Sequence, residues 1–189
     1  LEACDADDGL TDGAVNAFGQ CSSAKVMPRL RARQCTGAKT DSCLSKAQID
    51  ALEKSHAGPH NGKGEALYAS FPWDAGLSDL GWRMWKIGAP GQAGRPPMPA
   101  INASMGAPAL ATIFSTPPRL LGNEPQAGLS YQLGYDFDRD APKIFATNAQ
   151  FPRSPWQEIS ARSPDLRGLR ARGAKMIVPQ GVSDPVFSI

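Results

Sequence analysis

"SPDLRGLRARGAKMIVPQGVSDPVFS", residues 163–188, decides the reading of this chain. Ser163 stands as an N-cap and Pro164 takes the first helical position; Leu166 and Leu169 share one face, and Gly173 is the C-terminal stop. "AKMIVPQG" then predicts a buried strand, and "VSDPVFS" the turn leaving its C-terminal end. A helix, a buried strand and an acidic turn are α/β grammar, and catalytic groups of such folds gather at strand carboxyl ends. Position alone makes Asp184 a candidate site residue.

The other end of the chain is built differently. Residues 1–44 show no periodic core and read as irregular. Within them "CDADDGLTDGAVNAFGQC", residues 4–21, places Asp5, Asp7, Asp8 and Asp12 between two cysteines. Carboxylates so close repel one another unless something positive sits among them. With Gly9 and Gly13 alternating, the loop suits calcium, which takes six to eight oxygens from carboxylates and backbone carbonyls. The spacing is not that of an EF-hand, whose bidentate Glu would fall at Asn16. A solvated acidic turn is the plainer alternative. The four cysteines fall as local pairs, Cys4/Cys21 and Cys35/Cys43. They permit three connectivities, of which the sequential one closes two small loops at least entropy cost and points to an oxidising compartment. No CxxC spacing supports zinc.

Between these ends, "SKAQIDALEKSHAGP" (45–59) predicts a helix, with Ser45 and Gln48 as a capping box and Gly58-Pro59 as its stop. "HNGKGE" (60–65) predicts a hairpin tip leading into "ALYASF", and "SMGAPALATIF" (104–114) holds a short helix. Gly 19 and Pro 17 in 189 residues imply a loop-heavy chain of one domain or slightly more. A net charge of +2 selects no charged partner, and Lys25, Arg29, Arg31 and Arg33 read as a neutralising solvated face rather than a nucleic-acid surface. No apolar run reaches the ~18 residues of a membrane helix. The start at Leu1, without an initiating Met or leader, and the stop at Ile189 predict a mature segment or fragment.

Hydrolytic motifs are incomplete. There is no G-x-S-x-G elbow; "NASMG" (102–106) lacks the first Gly. His56 and His60 flank a helix end and a turn and read as surface or capping residues. Trp73, Trp82, Trp85, Phe114 and Phe187 serve either a core or an aromatic-binding pocket. Asp184 is thus an acid without a nucleophile or base in the chain.

Several stretches together resemble the tannase and feruloyl esterase family, which includes terephthalate-monoester hydrolases. They are residues 4–21, "QCTGAKTDSCLSKAQIDAL" (34–52), "AGPHNGKGEALY" (57–68), "GWRMWKIG" (81–88), "YDFDRDAPKIFA" (135–146) and "DLRGLRARGAKMIVPQGVSDPVFS" (165–188), in family order. The resemblance implies an α/β-hydrolase with a large inserted lid. Residues 1–160 would be an irregular α+β lid domain, and 161–189 the helix, strand and acid turn returning to the core. Asp184 would be the triad acid that holds the histidine tautomer. The resemblance places the nucleophilic Ser before residue 1 and the His after residue 189, together with the disulfide joining their neighbours. It also implies a lid calcium site from the side chains of Asp5, Asp8 and Asp12 and the carbonyls of Leu10 and Ala14, with Asp7 outside the ligand set. Cys4–Cys21 and Cys35–Cys43 match family lid disulfides. Trp85, Met105 and Phe187 match positions facing the substrate's aromatic ring. Arg95 sits in a Pro/Gly-rich loop and reads as solvated, so the lid arginine of terephthalate specialists has no counterpart.

These readings converge on the lid and acid-bearing segment of a secreted or periplasmic serine esterase of aromatic-acid esters, partnered by the rest of its core and by neither nucleic acid nor membrane. By itself the chain is expected to be inactive. A stand-alone calcium-stabilised module binding aromatic ligands, and one subunit of a cleaved esterase, are the alternatives. The "KMIV" run separates them, being paired in a subunit and open in a module.

Overall fold

The computed structural model describes residues 1–122 and 124–188; Ile189, the end of the predicted core segment, lies outside them. Helix α1 spans Ser23–Ala32 and α2 spans Lys46–Ala57. The predicted capping box is present on α2: Ser45 Oγ accepts from Gln48 N at 3.2 Å, and Gln48 Oε1 accepts from Ser45 N at 2.9 Å. Gly58 ends the helix at φ +77°, and a Cβ there would lie 2.7 Å from the Ala69 carbonyl oxygen, so only glycine fits. Further helices are α3 (Leu80–Lys86), α4 (Ile101–Pro108, continued by a π turn over Ala109–Ile113), α5 (Pro125–Leu133), α6 (Pro155–Ile159) and α7 (Arg167–Ala171).

Both predicted disulfides are formed, Cys4–Cys21 and Cys35–Cys43. The first lies in the core. Cys4, Val15, Cys21, Met27, Ile49 and Trp73 make one buried cluster, against which Phe18, Leu30, Leu44, Leu52 and Leu77 pack. The second clips the Gln34↔Leu44 bridge, where Cys35 N donates to the Leu44 carbonyl at 2.9 Å.

By compactness the chain divides into two units, Leu1–Asn102 with Gly181–Ile189, and Ala103–Gln180. The second has a smaller interior, in which Ala107 and Ala111 are buried, as are the polar residues Ser115, Thr116, Asp140 and Ser154.

Four expectations need correction. The buried strand over "AKMIVPQG" is not formed, and Ile177 is 91% and Val178 75% exposed. A core strand of a parallel sheet takes its hydrogen bonds from strands on both sides, and none of the described residues supplies one. Helix α7 begins at Arg167 rather than after Ser163, because the Ser163 hydroxyl accepts from Asp165 N (3.3 Å) in a turn and Asp165 then accepts from Arg167 N (3.1 Å). "ALYASF" makes one bridge, His60↔Ala66, beyond a tip turned by Asn61 and Gly64, and no strand. His56 is a core residue, 4% exposed, stacked on Trp73 with ring centroids 3.7 Å apart.

Candidate functional site

The acid turn is held by its own backbone. Asp184 Oδ1 accepts from Val186 N at 2.7 Å and Phe187 N at 2.9 Å, and Asp184 N donates to the Gly181 carbonyl at 3.3 Å. Those two amides, Phe187 foremost, hold the carboxyl below the usual range, and the Lys86 charge adds to the effect. Among the described residues Oδ2 accepts no hydrogen bond, so one oxygen stays open to a further donor.

Lys86, at the end of α3, sets its ammonium 4.3 Å from the Phe71 ring centroid. Burial pushes its pKa down, while Asp184 pulls the other way. Two more contacts tie the turn to residues 70–76: Ser183 Oγ donates to Asp74 Oδ1, and Ser188 Oγ to the Ser70 carbonyl. Asp74, Lys86 and Ser183 escaped the sequence reading. The Asp-x-Gly turn of "PWDAG" was the available signal for Asp74.

Of the expected ring contacts, Trp85 lies on α3, half-buried, and Phe187 lies in the acid turn, 66% exposed. Both belong to the first unit, whereas Met105, 62% exposed, belongs to the second. Arg95 stands in a tight exposed turn closed by the Gln92↔Arg95 bridge.

In the acidic loop each carboxylate finds a donor. Asp5 Oδ1 accepts from Gly13 N (3.0 Å) and Asp12 Oδ1 from Ala14 N (3.1 Å). Asp8 takes both Leu10 N (2.9 Å) and Asn16 N (3.3 Å), and the Leu10 amide foremost lowers its pKa. Asp7 pairs with Lys25 at 2.9 Å. Gly9 (φ +91°) and Gly13 (φ +84°) supply the reversals. The donors, aspartate oxygens and the carbonyls of Leu10 and Ala14, are the hard oxygen type that calcium takes. Among the described residues, however, no three Asp, Glu, His or Cys side chains are grouped for a metal. Donor chemistry fits the ion, and the side chains are not grouped around one point.

Cavities lie within each unit. Around the first disulfide one of about 430 Å³ is lined by Cys4, Val15, Cys21, Leu30, Trp73 and Leu77. A second of about 320 Å³ is bounded by Phe18, His56, Phe71 and Trp73. A larger one, about 920 Å³ in the second unit, is walled by Arg119, Tyr131, Tyr135, Arg139, Asp140 and Lys143. There Arg139 and Lys143 each lie 2.6 Å from the buried Asp140 carboxylate, whose pKa the Arg139 guanidinium foremost holds well below the usual range. None of these three is lined by Asp184, Trp85, Met105 or Phe187. No helix among the described residues is long and apolar enough to cross a membrane.

Sequence comparison extends these observations. The profile of the family described as "Tannase and feruloyl esterase" matches residues 1–189. A mono(2-hydroxyethyl) terephthalate hydrolase of Piscinibacter sakaiensis is 37% identical over 201 aligned residues, covering 100% of this chain and 33% of the relative. An uncharacterised esterase of Xanthomonas campestris pv. campestris is 32% identical over 191 residues, 98% of this chain and 29% of that protein. The chain thus spans about a third of the length of these relatives.

Proposed function

Because the chain belongs to the tannase and feruloyl esterase family, whose fold is of α/β-hydrolase type, we propose that it is the lid and acid-bearing part of a serine carboxylic ester hydrolase acting on esters of aromatic acids. The observation that carries this reading is the state of Asp184: ionised, aimed by two backbone amides, and with Oδ2 open. A triad acid needs this combination. One oxygen is fixed by the scaffold, and the carboxylate accepts from the imidazole Nδ1–H, sets its tautomer and stabilises the imidazolium. The nucleophilic Ser and the His would come from the remainder of the hydrolase core. Serine attack would give an acyl-enzyme that water then hydrolyses.

Residues 1–160 would form the lid and 161–189 the return into the core. Ile177 and Val178 are open in the chain by itself, as the stand-alone module alternative also expects, and in this reading the rest of the core would cover them on both faces. Trp85 and Phe187 would present apolar surface to the aromatic ring. Calcium, if held, would sit on Asp5, Asp8 and Asp12 with the carbonyls of Leu10 and Ala14, and would supply loop rigidity rather than chemistry. Two disulfides support a secreted or periplasmic setting.

The test is turnover of a chromogenic aromatic ester by the complete protein and its Asp184→Asn variant. Loss of about 10⁴-fold in kcat is expected. Unchanged turnover would remove Asp184 from the triad.

A further inference from the structure

We propose that Asp74 and Ser183 form a brace that positions the acid turn, with Asp74 a positioning residue supplied by the 70–76 segment. The proposal rests on reading Asp184 as the triad acid. The bonds inside the turn are local and fix its shape but not its place: Asp184 to the amides two and three residues on, and its own amide to Gly181. The residues leading into it are open at Ile177 and Val178 and give it no anchor. Beside the Lys86 charge, two side-chain hydrogen bonds tie it to the folded unit, from one hydroxyl just before Asp184 and one four residues after. Ser183 Oγ donates to Asp74 Oδ1, and Ser188 Oγ donates to the Ser70 carbonyl.

The anchor is itself rigid. Asp74 Oδ1 also accepts from Gly76 N at 2.6 Å, which fixes the carboxylate against its own backbone. Asp74 follows Trp73, which is buried in the core, stacked on His56, and donates from Nε1 to Ser23 Oγ at 2.9 Å. Phe71 N donates to the His56 carbonyl at 2.9 Å, binding the same segment to α2. The approach is close: a Cβ on Gly76 would collide with the Ser183 side chain, so glycine there is what lets the turn sit against this shelf. Support therefore runs from the core through Trp73 and Asp74 to Ser183, one residue from the acid. A hydroxyl bonded to a carboxylate is charge-assisted and stronger than a neutral pair, which suits it to holding a catalytic group to within tenths of an ångström.

The experiment uses the complete protein and a chromogenic aromatic ester. Ser183→Ala and Asp74→Ala should each lower kcat by about tenfold to a hundredfold, the cost of a misplaced catalytic group, with KM changed less than about twofold. The double variant should lose little more than either single one, because both break one contact. Ser183→Thr keeps the hydroxyl and should recover most of the loss, whereas Asp74→Asn keeps an acceptor oxygen without the charge and should recover part of it. Hydrogen exchange at the Val186 and Phe187 amides should quicken in Ser183→Ala while the thermal midpoint stays put. Unchanged kcat in Ser183→Ala beside an inactive Asp184→Asn would overturn the brace and leave the triad reading standing. An active Asp184→Asn would overturn the triad reading, and the brace with it.

Discussion

Residues 1–57 and residues 161–180 are both rich in charge, yet one is anchored and the other is open. The first carries two disulfides and buries Cys4, Cys21, Met27 and Ile49 in a shared cluster. The second has one five-residue helix and leaves Ile177 91% exposed. The difference lies in the sequence distance of the partners. A disulfide and a capped helix find theirs within about twenty residues, whereas a parallel strand needs neighbours brought from far along the chain.

The largest effect should come from cutting the staple. Replacing Cys4 and Cys21 together by Ser should cost about 3 kcal/mol, from the entropy regained by a loop of sequence separation 17. Denaturant unfolding of the chain measures it; no change in midpoint would mean the loop was ordered by something else. A medium effect concerns His56 on the anchored side. Burial lowers its pKa from the usual 6.5, so the unfolded chain takes up the proton first. The stability contributed by the neutral ring is present above about pH 6.5 and lost as pH falls through and below that value. Unfolding free energies at pH 7.5 and 5.5 should show the fall, and His56→Phe should flatten it. The smallest effect is expected on the open side. Ile177→Ser should shift the stability of the isolated chain by less than about 0.5 kcal/mol. A loss above about 1 kcal/mol would show that the segment packs, and the comparison would fail.

Much of the local architecture was legible. The Ser45/Gln48 capping box, the Gly58 stop and the sequential cysteine pairing are signals whose two halves lie close together, and each is formed. The 174–180 run misled because apolar, β-branched residues state a preference for burial, not the presence of the sheet that would bury them. His56 misled for a related reason: a polar residue at a helix end reads as solvated until an aromatic from another segment covers it. Asp184 could be singled out by its place after an apolar run. Ser183 and Asp74 could not, being 109 residues apart.

The sequence by itself determined this chain's family, its staples, the cap of α2 and the position of its candidate acid, since each is written in residues near one another or in a recurring order. Only the tertiary structure decided that His56 belongs under Trp73, that Lys86 stands in the field of Asp184, and that the acid turn is fastened to the shelf at residues 70–76. These depend on which distant segments meet, and that is set by the summed packing of the whole unit rather than by any local preference.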